Sequence, residues 1–161
     1  MIAEAQARQV LEALKARGWM ATAAESCTGG MVMAALTDIA GSSAVVDRGF
    51  VTYTNAAKEQ MLGVRPETLA AHGAVSEQVA REMAEGALAH SDAQVAVAIT
   101  GIAGPGGSEH KPEGRVCFGL AFEGGETRTE TIEFGAQGRA KVRLAAAQKA
   151  LSLLEIAATT V

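Results

Sequence analysis

A serine hydroxyl attacks a carbonyl only when a base takes its proton. The residues to weigh first are therefore hydroxyls and thiols at turns, and the bases a fold could bring to them. Ala24-Glu25-Ser26-Cys27-Thr28-Gly29-Gly30 offers Ser26 and Cys27 together, between an apolar stretch of strand character and a run with helical spacing. A turn of this kind presents backbone N–H groups to a ligand, and the helix after it adds partial positive charge. The same residues also read as plain architecture, with Thr28 capping a helix and the glycines making a tight turn. None of His72, His90 and His110 stands in a triad pattern. The available base is Lys58, because a lysine serves once burial or a positive field lowers its pKa. In the first turn of a helix its ammonium would face the positive dipole end, which disfavours the charged form; solvated beside Glu59 it would be inert. Tyr53, the single tyrosine of the chain, precedes Lys58 by five positions and could relay a proton or orient it, or be a core ring with a wet tip. Cys27 is the rival nucleophile, since a helix N-terminus lowers a thiol pKa, but it has no motif histidine as general acid.

A second turn bears on anion binding. Gly101-Ile102-Ala103-Gly104-Pro105-Gly106-Gly107-Ser108 lacks Gly-Lys-[Ser/Thr] and does not match a dinucleotide fingerprint opening a helix. It reads either as a surface loop or as a cradle whose N–H groups around Gly101–Gly104 take an anion or a ribose phosphate. Arg139, opening the last helix, suits a bidentate clamp on phosphate or carboxylate, or is a solvated surface group.

These residues need elements to place them. Ala3, Ala7, Val10 and Leu14 recur at helical spacing, which predicts an amphipathic helix over 2–17 stopped by Gly18. A strand over 19–25 and a helix over 29–39 flank the first turn. Val45 to Tyr53 is β-branched and aromatic enough for a strand, with Val51 and Tyr53 on one face and Phe50 and Thr52 on the other. Asn55 suits an N-cap for a short helix, 55–61, and Pro66 opens another that ends at His72-Gly73. Ser76 caps a longer helix with Val79, Met83 and Ala87 on one face. The run 95–100 is apolar without alternation, as in a strand covered on both faces. Strands 115–122 and 127–134 form a hairpin at Gly124-Gly125, and a helix of about 138–157 closes the chain. Helices interleaved with strands, plus one hairpin, predict a three-layer α/β/α sandwich with a mixed, mostly parallel sheet. Both glycine turns follow strands, so they are expected at the carboxyl ends, facing one cleft.

The 161 residues suit one domain, 1–161, and 48% hydrophobic with 20% charged residues is an ordinary globular composition. A net charge of −4 with no dense basic stripe argues against nucleic acid as the main partner, and 4% aromatics leave few rings for stacking bases. Two cysteines make no disulfide framework, and the scattered histidines give no metal-ligand pattern. With no apolar run of spanning length and no signal-peptide pattern, the expectation is a cytoplasmic protein without a membrane partner.

Taken together, Ala24 to Gly30, Gly41-Ser42-Ser43, Gly49 to Tyr53 with Asn55 and Lys58, Gly73-Ala74-Val75-Ser76 and Gly101-Ile102-Ala103-Gly104-Pro105 resemble the C-terminal domain of the competence/damage-inducible protein family CinA, over roughly residues 10–155. The resemblance implies the stand-alone form of that domain, without the molybdopterin-binding-like domain that precedes it in longer members. It implies a CinA-like α/β/α fold, homo-oligomeric, with a small-molecule nucleotide as substrate and neither cofactor nor metal. The activity implied is hydrolysis of the carboxamide of nicotinamide mononucleotide to nicotinate mononucleotide and ammonia. Ser26 falls at the family's serine nucleophile, Lys58 at its lysine base and Tyr53 at the tyrosine of the same motif. On this reading the N–H groups near Thr28, Gly29 and Gly30 hold the oxyanion. Thr100, Gly101, Ala103, Gly104 and Arg139 take the nucleotide's phosphate end. The loop from Gly106 to Gly114 is shorter than the family pattern and carries His110 and Glu113 in place of the usual types. The competing expectations are a non-catalytic nucleotide-binding or regulatory module, and a hydrolase of another small amide.

Overall fold

The computed structural model describes residues 1–108 and 110–161. Among them the chain runs α1 (Glu4–Arg17), β1 (Ala21–Glu25), α2 (Met31–Thr37), a 3-10 turn (Ser42–Ala44), β2 (Val46–Val51), α3 (Asn55–Leu62), α4 (Pro66–His72), α5 (Glu77–Ala89), β3 (Val95–Gly101), β4 (Arg115–Phe122), β5 (Arg128–Glu133) and α6 (Arg139–Thr160). The sheet order is β2-β1-β3-β4-β5. β1 pairs in parallel with both β2 and β3, while β3–β4 and β4–β5 are antiparallel. β4 alone therefore runs against the others, which is the mixed, mostly parallel sheet that the order of elements predicts.

Three layers follow from which faces are apolar. β1 and β3 lie between neighbours on both edges and between helices on both faces, and every residue of β1 is buried. One face carries α1, α2 and α6, joined to the sheet through Val10, Leu14, Leu36, Val97, Ile99 and Leu151. The other carries the helices from α3 to α5, through Leu62, Leu69, Met83, Ala96 and Ala98. With so few rings, close approach replaces bulk. A Cβ on Gly119 of β4 would stand 2.3 Å from the Ala80 carbonyl oxygen of α5, and one on Gly86 of α5 would stand 2.0 Å from that of Leu62.

The boundaries differ from expectation mainly by a residue or two at element ends. Gly18 stops α1 in the left-handed region at φ 72°, and the Ser76 hydroxyl accepts from the Val79 N–H at 3.2 Å, as their types predict. The cap of α3 is a correction. Thr54, not Asn55, is the N-cap, its hydroxyl accepting from the Ala57 N–H at 3.0 Å, and Asn55 becomes the first helical residue. Either side chain can make that bond, and the strand leaves Thr54 extended at φ −86°, ψ 162°, the geometry a cap needs. Val51 and Tyr53 are exposed while Thr52 is buried, as the two-residue period requires. Among the described residues no helix is long and apolar enough to cross a membrane.

Candidate active site

β1 and β3 end side by side. The register pairs Glu25 with Ile99, and the Ser26 N–H carries the pairing one step further by donating to the Ile99 carbonyl at 3.0 Å. On the other edge the Thr52 N–H donates to the Glu25 carbonyl at 2.9 Å. Ser26 thus leaves the sheet at a point defined by both neighbouring strands. The connection from β1 goes to one side, to β2, and the chain returns to the other, to β3. That reversal is the place where open α/β sheets leave a crevice.

Lys58 reaches the same point from the first turn of α3. Its Nζ lies 3.0 Å from Ser26 Oγ, 2.9 Å from the Thr52 carbonyl oxygen and 3.0 Å from that of Tyr53. As an ammonium, Nζ donates to all three. Once it loses a proton, its two N–H bonds can stay on the carbonyls while its lone pair accepts from the serine hydroxyl. Lys58 is 1% exposed, and burial pulls its pKa down from the ordinary lysine value to about 8. Of the two routes open to a lysine, burial is therefore the one seen here. Cys27 goes the opposite way: burial pushes its thiol up to about 11. A thiol held protonated is a poor nucleophile.

A cleft of about 310 Å³ opens over this pair, walled by the second glycine turn, by Ala74 and Val75 ahead of α5, and by Tyr53, Asn55 and Arg139. Thr100, Gly101, Ala103 and Gly104 all line it. Thr100 is buried and donates to the Ala74 carbonyl at 2.8 Å, which ties two walls together. The Gly106 N–H donates to the Glu113 carboxylate at 2.5 Å, and Lys111 Nζ donates to the carbonyls of His72 and Val75, each at 2.6 Å. Glu113 and Lys111, from the part of the loop that departs from the family pattern, therefore brace it.

Arg139 sits at the mouth. It donates to the Gly104 carbonyl at 2.7 Å and to the Tyr53 hydroxyl at 3.0 Å. The Tyr53 hydroxyl thus faces Arg139 on the rim. What Tyr53 gives to Ser26 and Lys58 is its carbonyl, and those two side chains meet directly with no relay between them.

Thr28, Gly29 and Gly30 lie apart from the cleft lining. The Thr28 hydroxyl donates to Glu25 Oε1 at 2.7 Å, the Gly29 N–H to the Ser26 carbonyl at 3.1 Å, and the Gly30 N–H to Glu25 Oε1 at 3.2 Å. Gly29 and Gly30 therefore have no N–H left for a substrate. Among the described residues the Thr28 amide has no acceptor, and the Cys27 amide meets only its own thiol sulfur.

Two residues of this neighbourhood escape sequence reasoning. Glu25 is a buried carboxylate at the end of β1, and Arg143 stands one turn beyond Arg139 on α6, donating to the carbonyls of Cys27 at 2.9 Å and Thr28 at 3.3 Å. The signal for Arg143 is its spacing: four residues from Arg139 puts both on one helix face. For Glu25 the only signal is an acid just ahead of a helix start.

Comparison with known proteins bears on all of this. Residues 3–158 match the model of the CinA C-terminal domain. The nicotinamide-nucleotide amidohydrolase PncC of Enterobacter agglomerans is 58% identical over 136 residues, covering 84% of this chain and 82% of that protein. The protein of the same name from Escherichia coli strain K12 is 64% identical over 125 residues, 76% of each chain. Among solved structures, the competence/damage inducible protein CihA from Agrobacterium tumefaciens superposes with a TM-score of 0.93 at 52% identity, covering 98% of this chain and 95% of that one.

Proposed function

This chain belongs to the CinA C-terminal domain family, and from that premise we propose that it is a nicotinamide-nucleotide amidohydrolase, releasing ammonia from nicotinamide mononucleotide by a Ser–Lys mechanism. The observation that carries the mechanism is the 3.0 Å approach of Ser26 Oγ to a buried Lys58 Nζ. The PncC names of relatives at 58% and 64% identity support the substrate class.

In this reading neutral Lys58 takes the Ser26 proton as Oγ attacks the carboxamide carbon. The carbonyl oxygen becomes an oxyanion, held by the amides of Cys27, on the cleft wall, and of Thr28, the next along the turn; one such donor is commonly worth about 3 kcal/mol. Protonated Lys58 returns its proton to the leaving nitrogen, the C–N bond breaks, and ammonia departs from an acyl-enzyme. Lys58, neutral again, takes a proton from water. The resulting hydroxide attacks the ester, and Ser26 recovers its proton as nicotinate mononucleotide leaves. Arg139 and the 101–104 turn receive the phosphate end, the guanidinium exchanging its bond to the Gly104 carbonyl for phosphate oxygens.

The test is ammonia release by purified protein. Nicotinamide mononucleotide should be hydrolysed well ahead of nicotinamide or glutamine, and Ser26→Ala should lower kcat by at least about 10³-fold. A variant that kept near-wild-type turnover would sink the nucleophile assignment. Activity on glutamine or another amide in place of the nucleotide would transfer the same chemistry to a different substrate.

A further inference from the structure

The turn that carries Ser26 is gripped from two sides by side chains that never reach the cleft. On one side is Glu25, 1% exposed. Its Oε1 accepts from the Thr28 hydroxyl at 2.7 Å, the Gly30 N–H at 3.2 Å and the Val32 N–H at 3.1 Å, and its Oε2 accepts from the Met33 N–H at 3.2 Å. No side chain of α2 caps its own N-terminus. A carboxylate from the strand does so instead, taking the free donors and neutralising the positive dipole end. On the other side the Arg143 guanidinium holds the carbonyls of Cys27 and Thr28. At Gly29 φ is +57°, in the left-handed region that favours glycine, and a Cβ there would lie in ordinary contact with Arg143 Nη2 at 3.4 Å.

We infer that Glu25 and Arg143 are positioning residues for the reaction, a donor-and-acceptor clamp that orients the Cys27 and Thr28 amides toward the reacting carbonyl. The inference rests on Ser26 being the nucleophile. Glu25 holds the Thr28 hydroxyl and the Gly30, Val32 and Met33 amides, and so fixes the far end of the turn that begins at Ser26. The carbonyls that Arg143 holds share their peptide planes with the Thr28 and Gly29 N–H groups, so Arg143 fixes the Thr28 N–H directly. The Gly29 N–H in turn donates to the Ser26 carbonyl at 3.1 Å, whose peptide plane carries the Cys27 N–H. An error of about 1 Å in such a constellation is enough to cost about 10²-fold in rate.

The test compares Glu25→Gln, Arg143→Met, Arg143→Lys and Ser26→Ala in the ammonia assay, with circular dichroism as the check on folding. Gln keeps the size of Glu25 but turns an NH2 toward amide donors. Arg143 is half-buried, so its replacement probes the same turn without emptying the core. Glu25→Gln and Arg143→Met should each lose about 10²-fold in kcat, with KM for nicotinamide mononucleotide within about threefold and Arg143→Lys recovering part of the loss. The pH midpoint of the rate should not move, because neither charge contributes to the shift of Lys58. If Glu25→Gln fails to fold, Arg143→Met decides alone. Wild-type kcat in Arg143→Met, or a rise in KM at unchanged kcat, overturns the inference while leaving the nucleophile intact. Full activity in Ser26→Ala overturns the nucleophile reading beneath it.

Discussion

At Lys58 hydrogen bonding and burial act on the amine in opposite directions. A charged ammonium would satisfy all three partners, two carbonyls and a hydroxyl, so hydrogen bonding alone favours the cation. Burial wins, and the amine settles at about 8. The sign for activity follows: the base must be neutral, so kcat/KM should climb tenfold per pH unit below that value and level off above it. At pH 7 about a tenth of the enzyme would hold the reactive form. A rate profile measured from pH 6 to 10 checks this, and a flat profile across pH 7–9 would remove Lys58 as base. Lys58→Arg, unable to lose its proton, should stay inactive across the range. What singles out the pair in the sequence is the family resemblance, because a serine at a strand-to-helix turn is an ordinary residue there and a lysine beside Glu59 reads equally as a solvated one. The mode of pKa depression is not legible there. Whether a long side chain reaches solvent depends on strands distant in sequence. Glu25 is hidden for the same reason, since a carboxylate beside a helix start reads as a surface acid until its burial is known.

At the scale of elements, the periodic segments are legible and their ends less so. The apolar run 95–100 forms a fully covered strand, and the Gly124-Gly125 hairpin stands where its residues put it. The cap of α3 moves from Asn55 to Thr54 because strand geometry, not side-chain preference, decides between two competent residues. Nothing local marks where helices must approach the sheet most closely, yet stability depends on it. Gly119 lies against α5 with no room for a methyl group, and its obstacle is the backbone oxygen of Ala80, which cannot swing aside. Gly119→Ala should therefore destabilise by about 1–3 kcal/mol. For a chain of this size that lowers Tm by about 2–10 °C, read by thermal melting at pH 7. An unchanged Tm would mean the α5–β4 packing is looser than described.

At the scale of the molecule, the site belongs to no single element. Ser26 hangs from β1, Lys58 from α3, the second glycine turn from β3, and Arg139 and Arg143 from α6. Only the strand order brings them together, and strand order is not readable from the chain. The general rule about parallel sheets does place Ser26 and Cys27 on one cleft with the second turn, whereas Gly29 and Gly30 of the first turn lie apart from it. The antiparallel strand β4 supports the cleft from the side: the Arg115 carbonyl accepts from the Ile102 N–H at 2.9 Å and so anchors the start of the second turn.

The bond from the Thr52 N–H to the Glu25 carbonyl extends the β1–β2 ladder, and it ties the backbone just ahead of Ser26 to the residue whose carbonyl holds Lys58 Nζ. Seen as an event in time, it makes catalysis a reporter of folding order. Helices are local and form early, whereas parallel strands distant in sequence must wait for loop closure. Chain diluted from denaturant should regain its far-ultraviolet helical signal first and its ammonia-releasing activity afterwards, in a later phase. Simultaneous recovery would place the β1–β2 pairing in the same cooperative step as the helices.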